Sequence, residues 1–193
     1  NVMFNICLQK VIEFHRSKKS KFTLVLHPDE FPLESDIVEI NNDNRVIGYY
    51  TRPYTEDFVF RNLVNSGIYV LSPDILKYIK KGEKQDFGND ILPFLYRKED
   101  VYGYITSEYI KEINTKDRWE IVNKDYKSAK IYKKNCENLQ KAIFLDRDGV
   151  VTIEKGFICD EKELEIYDFT LEAIKLINQS DYLAIIISNQ SAV

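Results

Sequence analysis

The stretch AIFLDRDGVV, residues 142–151, decides the fold class of the C-terminal part of the chain. Its apolar first half predicts a short buried strand over 142–145. A helix is predicted over 171–178, and the apolar run YLAIII predicts a second buried strand over 182–187. This order of strand, helix and strand is typical of a βαβ unit with a parallel sheet.

Two carboxylates, Asp146 and Asp148, follow the first predicted strand directly. Alternate positions of an extended segment face the same side, so both can enter one crevice, and Gly149 then allows a positive φ. Such a pair suits phosphoryl transfer through an aspartyl-phosphate, in which one carboxylate attacks phosphorus and the other transfers protons. We expect Mg²⁺ to offset the repulsion between these groups and a phosphate. Taken alone, the pattern is equally compatible with a solvated Asx-type turn.

The second predicted strand ends in Ser188-Asn189-Gln190. Ligands of parallel sheets bind beyond the carboxyl ends of the strands, where both polar segments fall. A hydroxyl and main-chain N–H groups at this point could hold phosphoryl oxygens. The combination of the two segments favours a phosphate site over a turn.

The motifs FLDRDGVV at 144–151 and ISNQS at 187–191 resemble the haloacid dehalogenase (HAD) superfamily. The most similar branch is that of the small phosphatases for heptose 1,7-bisphosphate and histidinol phosphate. This resemblance covers about residues 141–193 and implies a HAD-like parallel sheet. It also implies that Mg²⁺ binds the Asp146 side chain and the Asp148 main-chain carbonyl. By the same resemblance, Asp146 is the nucleophile and Asp148 is the general acid/base. Ser188 and Asn189 are the implied phosphate-binding residues.

The first 126 residues contain several predicted helices and strands. No G-x-G-x-x-G or P-loop motif is present, and by residue type alone the polar segments are surface loops. The aromatic residues near position 50 are interpreted as packing groups. The predicted helices are 8–19, 117–127 and one that begins at Ser72-Pro73-Asp74, and the predicted strands are 22–27, 36–40, 45–50 and 65–71.

Four stretches of this region together resemble the later part of a sugar-phosphate nucleotidyltransferase, with the heptose 1-phosphate guanylyltransferases nearest. They are TLVLHP (23–28), NLVNSGIYV (62–70), DFGNDI (86–91) and SEYIKEI (107–113). The resemblance implies a Rossmann-like mixed sheet and a sugar-phosphate pocket. Arg52 stands where the family has Lys, and Asn1 and Glu112 stand where it has metal-binding Asp. The implied pocket residues are Arg52, Asn65, Gly67 and Glu112.

We therefore expect a nucleotidyltransferase-like part over 1–126, a polar linker over 127–140 with four lysines, and a phosphatase-like part over 141–193. Together these parts indicate a bifunctional enzyme of nucleotide-activated heptose synthesis for surface polysaccharide such as lipopolysaccharide. Its partners would be a sugar phosphate and, in the complete protein, a nucleoside triphosphate. Two alternatives stay open, namely an inactive remnant that binds a sugar phosphate or a partner, and a nucleotidyltransferase alone. Both ends of the chain look cut.

Composition excludes several other classes of protein. Among the 193 residues, 27 Lys and Arg oppose 31 Asp and Glu, and the net charge of −4 offers no basic face for nucleic acid. No apolar run approaches the ~18 residues of a membrane span. Three scattered cysteines and two histidines make a zinc site unconvincing and indicate a reduced, cytoplasmic compartment.

Overall fold

A computed structural model describes residues 1–55, 57–180 and 182–189. The chain divides into two compact units, Asn1–Asn135 and Cys136–Val193. Within the described ranges, no helix is both long enough and apolar enough to cross a membrane. Each unit is an α/β structure and is described below by itself.

The first unit contains seven strands and four α-helices in its described part. A turn of 3-10 helix at Pro32–Glu34, another at Pro73–Tyr78 and a π-helical turn at Phe87–Ile91 connect them. The strands are β1 (Val2–Asn5), β2 (Phe22–His27), β3 (Ile37–Ile40), β4 (Val46–Tyr50), β5 (Val64–Leu71), β6 (Val101–Ile105) and β7 (Tyr109–Glu112). The helices are α1 (Leu8–Ser17), α2 (Leu92–Leu95), α3 (Lys116–Lys127) and α4 (Lys130–Lys133).

Five of these strands form one sheet in the order β4-β3-β5-β2-β6, and β1 pairs with β7 in a separate antiparallel ribbon. In the large sheet β2 runs parallel to β6, whereas β2–β5, β3–β5 and β3–β4 are antiparallel. The predicted α/β class with a mixed sheet is therefore confirmed for this unit.

Strand β2 lies between β5 and β6, and all six of its residues are buried. One face of β2 joins a cluster that contains Phe22, Leu24 and Leu26, and its other face places Val25 against Val11 of α1. A strand covered on both faces has no polar-apolar alternation, which explains the continuous run FTLVLH.

The segment 127–140 was predicted to be a linker, but its first half packs as part of the first unit. It carries α4, and Ile131 of this helix is buried against Tyr109 and Val122. The lysines around Ile131 gave the segment a polar composition that hid this single apolar anchor. The two units divide after Asn135.

The second unit contains β8 (Lys141–Asp146), a 3-10 turn (Glu161–Glu163), α5 (Thr170–Gln179) and β9 (Tyr182–Ile187). β8 and β9 are parallel, as the βαβ pattern predicts. The prediction that both strands are buried is wrong, because Phe144 is 63% and Ile187 is 54% exposed. In the described part of this unit one helix, α5, packs on β9, and a single helix cannot cover both faces of a sheet.

Candidate functional site

A cavity of about 810 Å³ opens in the first unit where β5, the segment after β4, the π-helical turn and the end of β7 meet. Its wall is mostly polar and includes all four residues predicted for a sugar-phosphate pocket. The residues that line it include Glu34, Asp36, Arg52, Asn65, Gly67, Tyr69, Asp86, Gly88 and Glu112.

An irregularity in β5 turns its residues toward this cavity. Between the pairs Leu24–Tyr69 and Leu26–Asn65 the register of β2 and β5 shifts, because β5 holds more residues than the segment of β2 opposite. Gly67 lies inside this bulge with φ +75, a conformation that costs a residue with a Cβ ~1–2 kcal/mol. The bulge therefore explains why a glycine stands at this position, and it places Asn65 and Tyr69 on the cavity wall.

The amide of Asn65 is the centre of a hydrogen-bond network behind the cavity wall. Its Nδ2 donates to the hydroxyl oxygens of Tyr49 and Tyr69, each at 2.9 Å. The Tyr49 hydroxyl donates to Asp36 Oδ2 at 2.7 Å, and the Gly67 N–H donates to Asn65 Oδ1 at 3.1 Å. These contacts connect β4 and β5 with Asp36, the residue before β3, so the network holds the wall in one geometry.

Burial perturbs the ionisable groups of this network. Desolvation raises the pKa of the Asp36 carboxyl, although the hydrogen bond from Tyr49 and the nearby charge of Arg52 oppose that shift. Burial raises the pKa of Tyr69 to about 12 and that of Tyr49 further still. Both tyrosines therefore keep their protons at neutral pH and act as hydrogen-bond donors.

The π-helical turn approaches this network closely through Gly88. A Cβ on Gly88 would lie 2.7 Å from Asp36 Oδ2 and 3.2 Å from Asp86 Oδ1. A larger side chain would displace both carboxylates, so Gly88 allows them to approach the cavity together. Asp86 also accepts hydrogen bonds from the main-chain and side-chain nitrogens of Asn89, which fixes its orientation.

Arg52 is exposed and lies on the wall of the same cavity. Within the part of the chain that the structure describes, no hydrogen bond or ion pair engages its guanidinium. Its charge partly offsets the rise that burial causes in the pKa of the half-buried Asp36. Arg52 is therefore a cation available to an anionic group of a ligand.

Glu112 differs from Arg52, because its charge is compensated by partners within the protein. The Arg118 guanidinium of α3 donates to Glu112 Oε2 and to Glu34 Oε2, and Asn114 Nδ2 donates to Glu112 Oε2 at 2.9 Å. Arg118 thus joins two carboxylates that line the cavity. Glu112 lies in the predicted pocket but is held by these partners.

The carboxylate pair of the second unit lies at the carboxyl end of its parallel strands, as predicted. Asp146 pairs in register with Ile187, the residue before Ser188. The Arg147 N–H donates to Ile187 O at 3.2 Å and to Asp146 Oδ1 at 2.7 Å. Asn189 follows Ser188 at the same edge, whereas Gln190 lies outside the described residues.

Asp148 is held differently from Asp146. The Arg147 guanidinium donates to both of its carboxylate oxygens, at 2.8 and 3.0 Å, in a bidentate arrangement. Gly149 has φ +76, as expected for the turn, and its N–H donates to Thr152 O at 2.8 Å. This loop geometry is expected both for a solvated Asx-type turn and for a phosphate site. Only the chemistry of the side chains can distinguish these two alternatives.

Metal binding was expected at Asp146 and Asp148. No group of three His, Cys, Asp or Glu side chains in the described ranges could hold a metal ion together. Mg²⁺ usually takes one or two protein carboxylates and completes its shell with water and substrate phosphate. The exposed Asp146 carboxylate and the Asp148 main-chain carbonyl fit such a sparse set of ligands.

Sequence reasoning missed Asp36, Tyr69 and Arg118. Asp36 and Arg118 belong to no motif, and their roles depend on partners distant in the sequence. Tyr49 was interpreted as a packing residue, and it is buried in the core, but its hydroxyl also belongs to the cavity network. Asp86 is the first residue of the stretch DFGNDI, and the family resemblance of that stretch was the sequence signal that could have identified Asp86 as a site residue.

Comparison with known proteins gives two kinds of similarity. A family model described as "Nucleotidyl transferase" matches residues 1–143. The D-glycero-alpha-D-manno-heptose 1-phosphate guanylyltransferase of Aneurinibacillus thermoaerophilus is 28% identical over 126 residues, which cover 65% of this chain and 52% of that protein. A crystal structure described as a glucose-1-phosphate thymidylyltransferase from Bacillus anthracis has a TM-score of 0.52 at 16% identity, and the match covers 64% of this chain and 50% of that one. That structure supports the fold alone.

A second set of relatives consists of phosphatases. The D-glycero-beta-D-manno-heptose-1,7-bisphosphate 7-phosphatase of Helicobacter pylori strain 26695 is 36% identical over 56 residues, which cover 29% of this chain and 32% of that protein. The chain spans about half or less of the length of the curated relatives that it matches.

Proposed function

The chain belongs to the nucleotidyl transferase family, and from that premise we propose that the cavity of its first unit binds the sugar phosphate of a sugar-phosphate nucleotidyltransferase. The observation that carries the proposal is the position of Arg52, an available cation on a wall that also carries carboxylates, amides and a tyrosine hydroxyl. A sugar phosphate presents one anionic group and several hydroxyls, which matches this distribution.

In the proposed complex the Arg52 guanidinium donates hydrogen bonds to the phosphate. Its planar fork can engage two phosphate oxygens at once, whereas a Lys would supply a point charge. The carboxylates of Asp36 and Asp86 accept from sugar hydroxyls, and their negative charge keeps the phosphate away from that side of the cavity. The ligand therefore has one preferred orientation.

The similarity to a heptose 1-phosphate guanylyltransferase supports D-glycero-alpha-D-manno-heptose 1-phosphate as the ligand and a guanosine nucleotide as the second substrate. With guanosine triphosphate as that nucleotide, an oxygen of the sugar phosphate would attack the α-phosphorus while the bond from the α-phosphorus to the oxygen that bridges it to the β-phosphorus breaks, and pyrophosphate would leave. The contribution of this chain to that step is to bind and orient the sugar phosphate through Arg52.

Isothermal titration calorimetry of the 193-residue chain with heptose 1-phosphate tests the proposal. Hydrogen bonds to charged groups contribute ~1.5–3 kcal/mol, so Arg52→Gln should weaken the Kd by about 10- to 100-fold. Arg61→Gln is the matched control, because Arg61 is exposed and lies outside the cavity wall. Equal affinities of the wild type and Arg52→Gln would contradict the proposal.

A second activity is proposed for the second unit, namely hydrolysis of a sugar phosphomonoester. Two observations favour it: Asp146 lies in register beside Ile187 at the carboxyl edge of a parallel pair, and the similarity to the phosphatases has a length close to that of this unit. The two units would then belong to one bifunctional enzyme of nucleotide-activated heptose synthesis. The three cysteines form no disulfide in the described part of the chain, which is compatible with a cytoplasmic location.

In this reaction a carboxylate oxygen of Asp146 attacks phosphorus while the bond from phosphorus to the sugar oxygen breaks. Asp148 gives a proton to that leaving oxygen, and it later removes one from the water that hydrolyses the aspartyl-phosphate. The fork between Arg147 and Asp148 must open before either proton transfer. Ser188 and Asn189 would hold phosphoryl oxygens. Mg²⁺ bound at Asp146 and the Asp148 carbonyl would neutralise phosphate charge.

Phosphate release from heptose 1,7-bisphosphate in the presence of Mg²⁺ measures this second activity. Asp146→Asn should abolish release, because an amide is not a nucleophile toward phosphorus. Asp168→Asn, an exposed aspartate of the same unit, is the control and should release phosphate as the wild type does. Turnover retained by Asp146→Asn would refute the assignment.

A further inference from the structure

Tyr54 follows Arg52 by two residues, and its hydroxyl group is bound to the main chain on both sides of Asp36. The Ile37 N–H donates to the hydroxyl oxygen at 3.2 Å. The hydroxyl in turn donates to Ser35 O at 2.6 Å. The side chain of Tyr54 therefore connects the segment that carries Arg52 to the segment that carries Asp36.

The ring of Tyr54 is held independently of its hydroxyl group. It stacks on Phe58 with a centroid distance of 5.0 Å and an interplanar angle of 10°. The hydroxyl also lies 3.0 Å from Tyr50 O, at the end of β4, which is a second acceptor for its proton. Tyr54 is half-buried and does not line the cavity. Its contacts are thus with residues beside the cavity, not with a ligand inside it.

Arg52 and Asp36 carry opposite charges on the same cavity wall, yet within the described residues they do not form an ion pair. Asp36 Oδ2 accepts from the Tyr49 hydroxyl at 2.7 Å instead. The two charges are nevertheless near each other, because Arg52 opposes the rise that burial causes in the pKa of Asp36. An exposed arginine has many rotamers, and a neighbouring carboxylate is an available partner for it. A direct pair would engage the cation that the proposed function assigns to the ligand phosphate.

We propose that Tyr54 is a positioning residue that prevents the Arg52 guanidinium from pairing with Asp36 and so keeps it available to the phosphate of the ligand. Its hydroxyl joins the main chain of the two segments, so the Arg52 segment cannot shift toward Asp36 without breaking these hydrogen bonds. Without the hydroxyl, the guanidinium can reach the carboxylate and donate to it. This inference rests on the proposed binding of a sugar phosphate at Arg52.

Tyr54→Phe tests the inference, because it removes the hydroxyl and keeps the ring that stacks on Phe58. The matched control is Tyr78→Phe, since the Tyr78 hydroxyl donates to Glu99 at 2.6 Å and lies outside the cavity wall. Calorimetric titrations of the 193-residue chain use two probes, heptose 1-phosphate and inorganic phosphate. Thermal unfolding of each variant reports on folding.

A surface ion pair is a weak competitor, so we expect Tyr54→Phe to weaken the Kd for both probes about fivefold, equivalent to ~1 kcal/mol. Asp36→Asn removes the competing charge and keeps an acceptor for Tyr49. In that background Tyr54→Phe should therefore leave both Kd values unchanged. In the Arg52→Gln background it should also have no effect, because no guanidinium is left to position. Tyr78→Phe should bind both probes as the wild type does.

A measurement without ligand examines the same contact. Exchange of the Arg52 Nε–H with water, followed by ¹⁵N-edited NMR, should be slower in Tyr54→Phe than in the wild type, because the Asp36 carboxylate then accepts from the guanidinium. Adding Asp36→Asn to this variant should restore the wild-type exchange rate. Tyr78→Phe should exchange as the wild type does.

Unchanged affinities in Tyr54→Phe would overturn the inference, as would an unchanged exchange rate of the Arg52 Nε–H. A loss of affinity that persists in the Asp36→Asn background would also overturn it, because Tyr54 would then have only a structural role. If the wild type binds neither probe, the proposed function fails. The exchange rates then still decide whether Tyr54 separates Arg52 from Asp36.

Discussion

Replacing Asn65 with Ala should destabilise the first unit substantially, because this amide connects the strands behind the cavity. The substitution removes both donors to Tyr49 and Tyr69 and the acceptor of the Gly67 N–H. The Tyr49 hydroxyl keeps its bond to Asp36, whereas the other groups lose their partner.

The size of the effect follows from the number and the burial of these bonds. Three hydrogen bonds at a net ~1 kcal/mol each set an upper value of ~3 kcal/mol. Asn65 is only half-buried, so water can replace part of what is lost. We therefore expect the free energy of unfolding to fall by about 2 kcal/mol.

Urea unfolding followed by tryptophan fluorescence is the assay, because the single tryptophan, Trp119, lies in α3 of the first unit. The control is Asn62→Ala, since Asn62 makes two exposed hydrogen bonds to the main chain of Asp29. Its loss should cost less than ~1 kcal/mol, because exposed groups return to water. A cost for Asn65→Ala no greater than that of Asn62→Ala would refute the reasoning.

Three further results are expected. Ile131→Ala should lower the unfolding free energy by about 2 kcal/mol in the same assay, because its buried side chain anchors α4; no change would mean that the segment is a linker after all. Burial raises the pKa of Asp36, so the native state binds this proton more readily than the unfolded chain, and its contribution to stability falls as pH rises through that raised pKa. Asp36→Asn should remove this slope when urea midpoints are compared from acidic to neutral pH, and an unchanged slope would contradict the assignment. Gly67→Ala should cost ~1–2 kcal/mol for its positive φ, whereas an unchanged urea midpoint would argue against that conformation.

Sequence patterns predicted the elements of this fold well where local chemistry decides them. The hairpin of β3 and β4 surrounds the turn residues Asn41-Asn42-Asp43-Asn44, and Asn41 Oδ1 accepts from the main chain of Asp43 and Arg45. The parallel order of β8 and β9 follows from the intervening helix. In both cases the information is contained in neighbouring residues.

Burial and side-chain partners were not predictable in the same way. The apolar run of β9 indicates a strand but carries no information on how many layers cover it, and Ile187 is 54% exposed. Arg118 contacts Glu34 across 84 positions of sequence, and no local pattern predicts such a pair. Residues 52, 65, 67 and 112 were grouped through a family resemblance, and the structure places them on one cavity wall.

The most direct test of the account is a ¹⁵N-edited NMR titration of the 193-residue chain with heptose 1-phosphate. Binding at the proposed cavity predicts shifts of the Gly67 and Gly88 amides and of the Arg52 side-chain Nε–H, all of which belong to its wall. An absence of shifts, or shifts confined to residues 136–193, would contradict a sugar-phosphate site in the first unit.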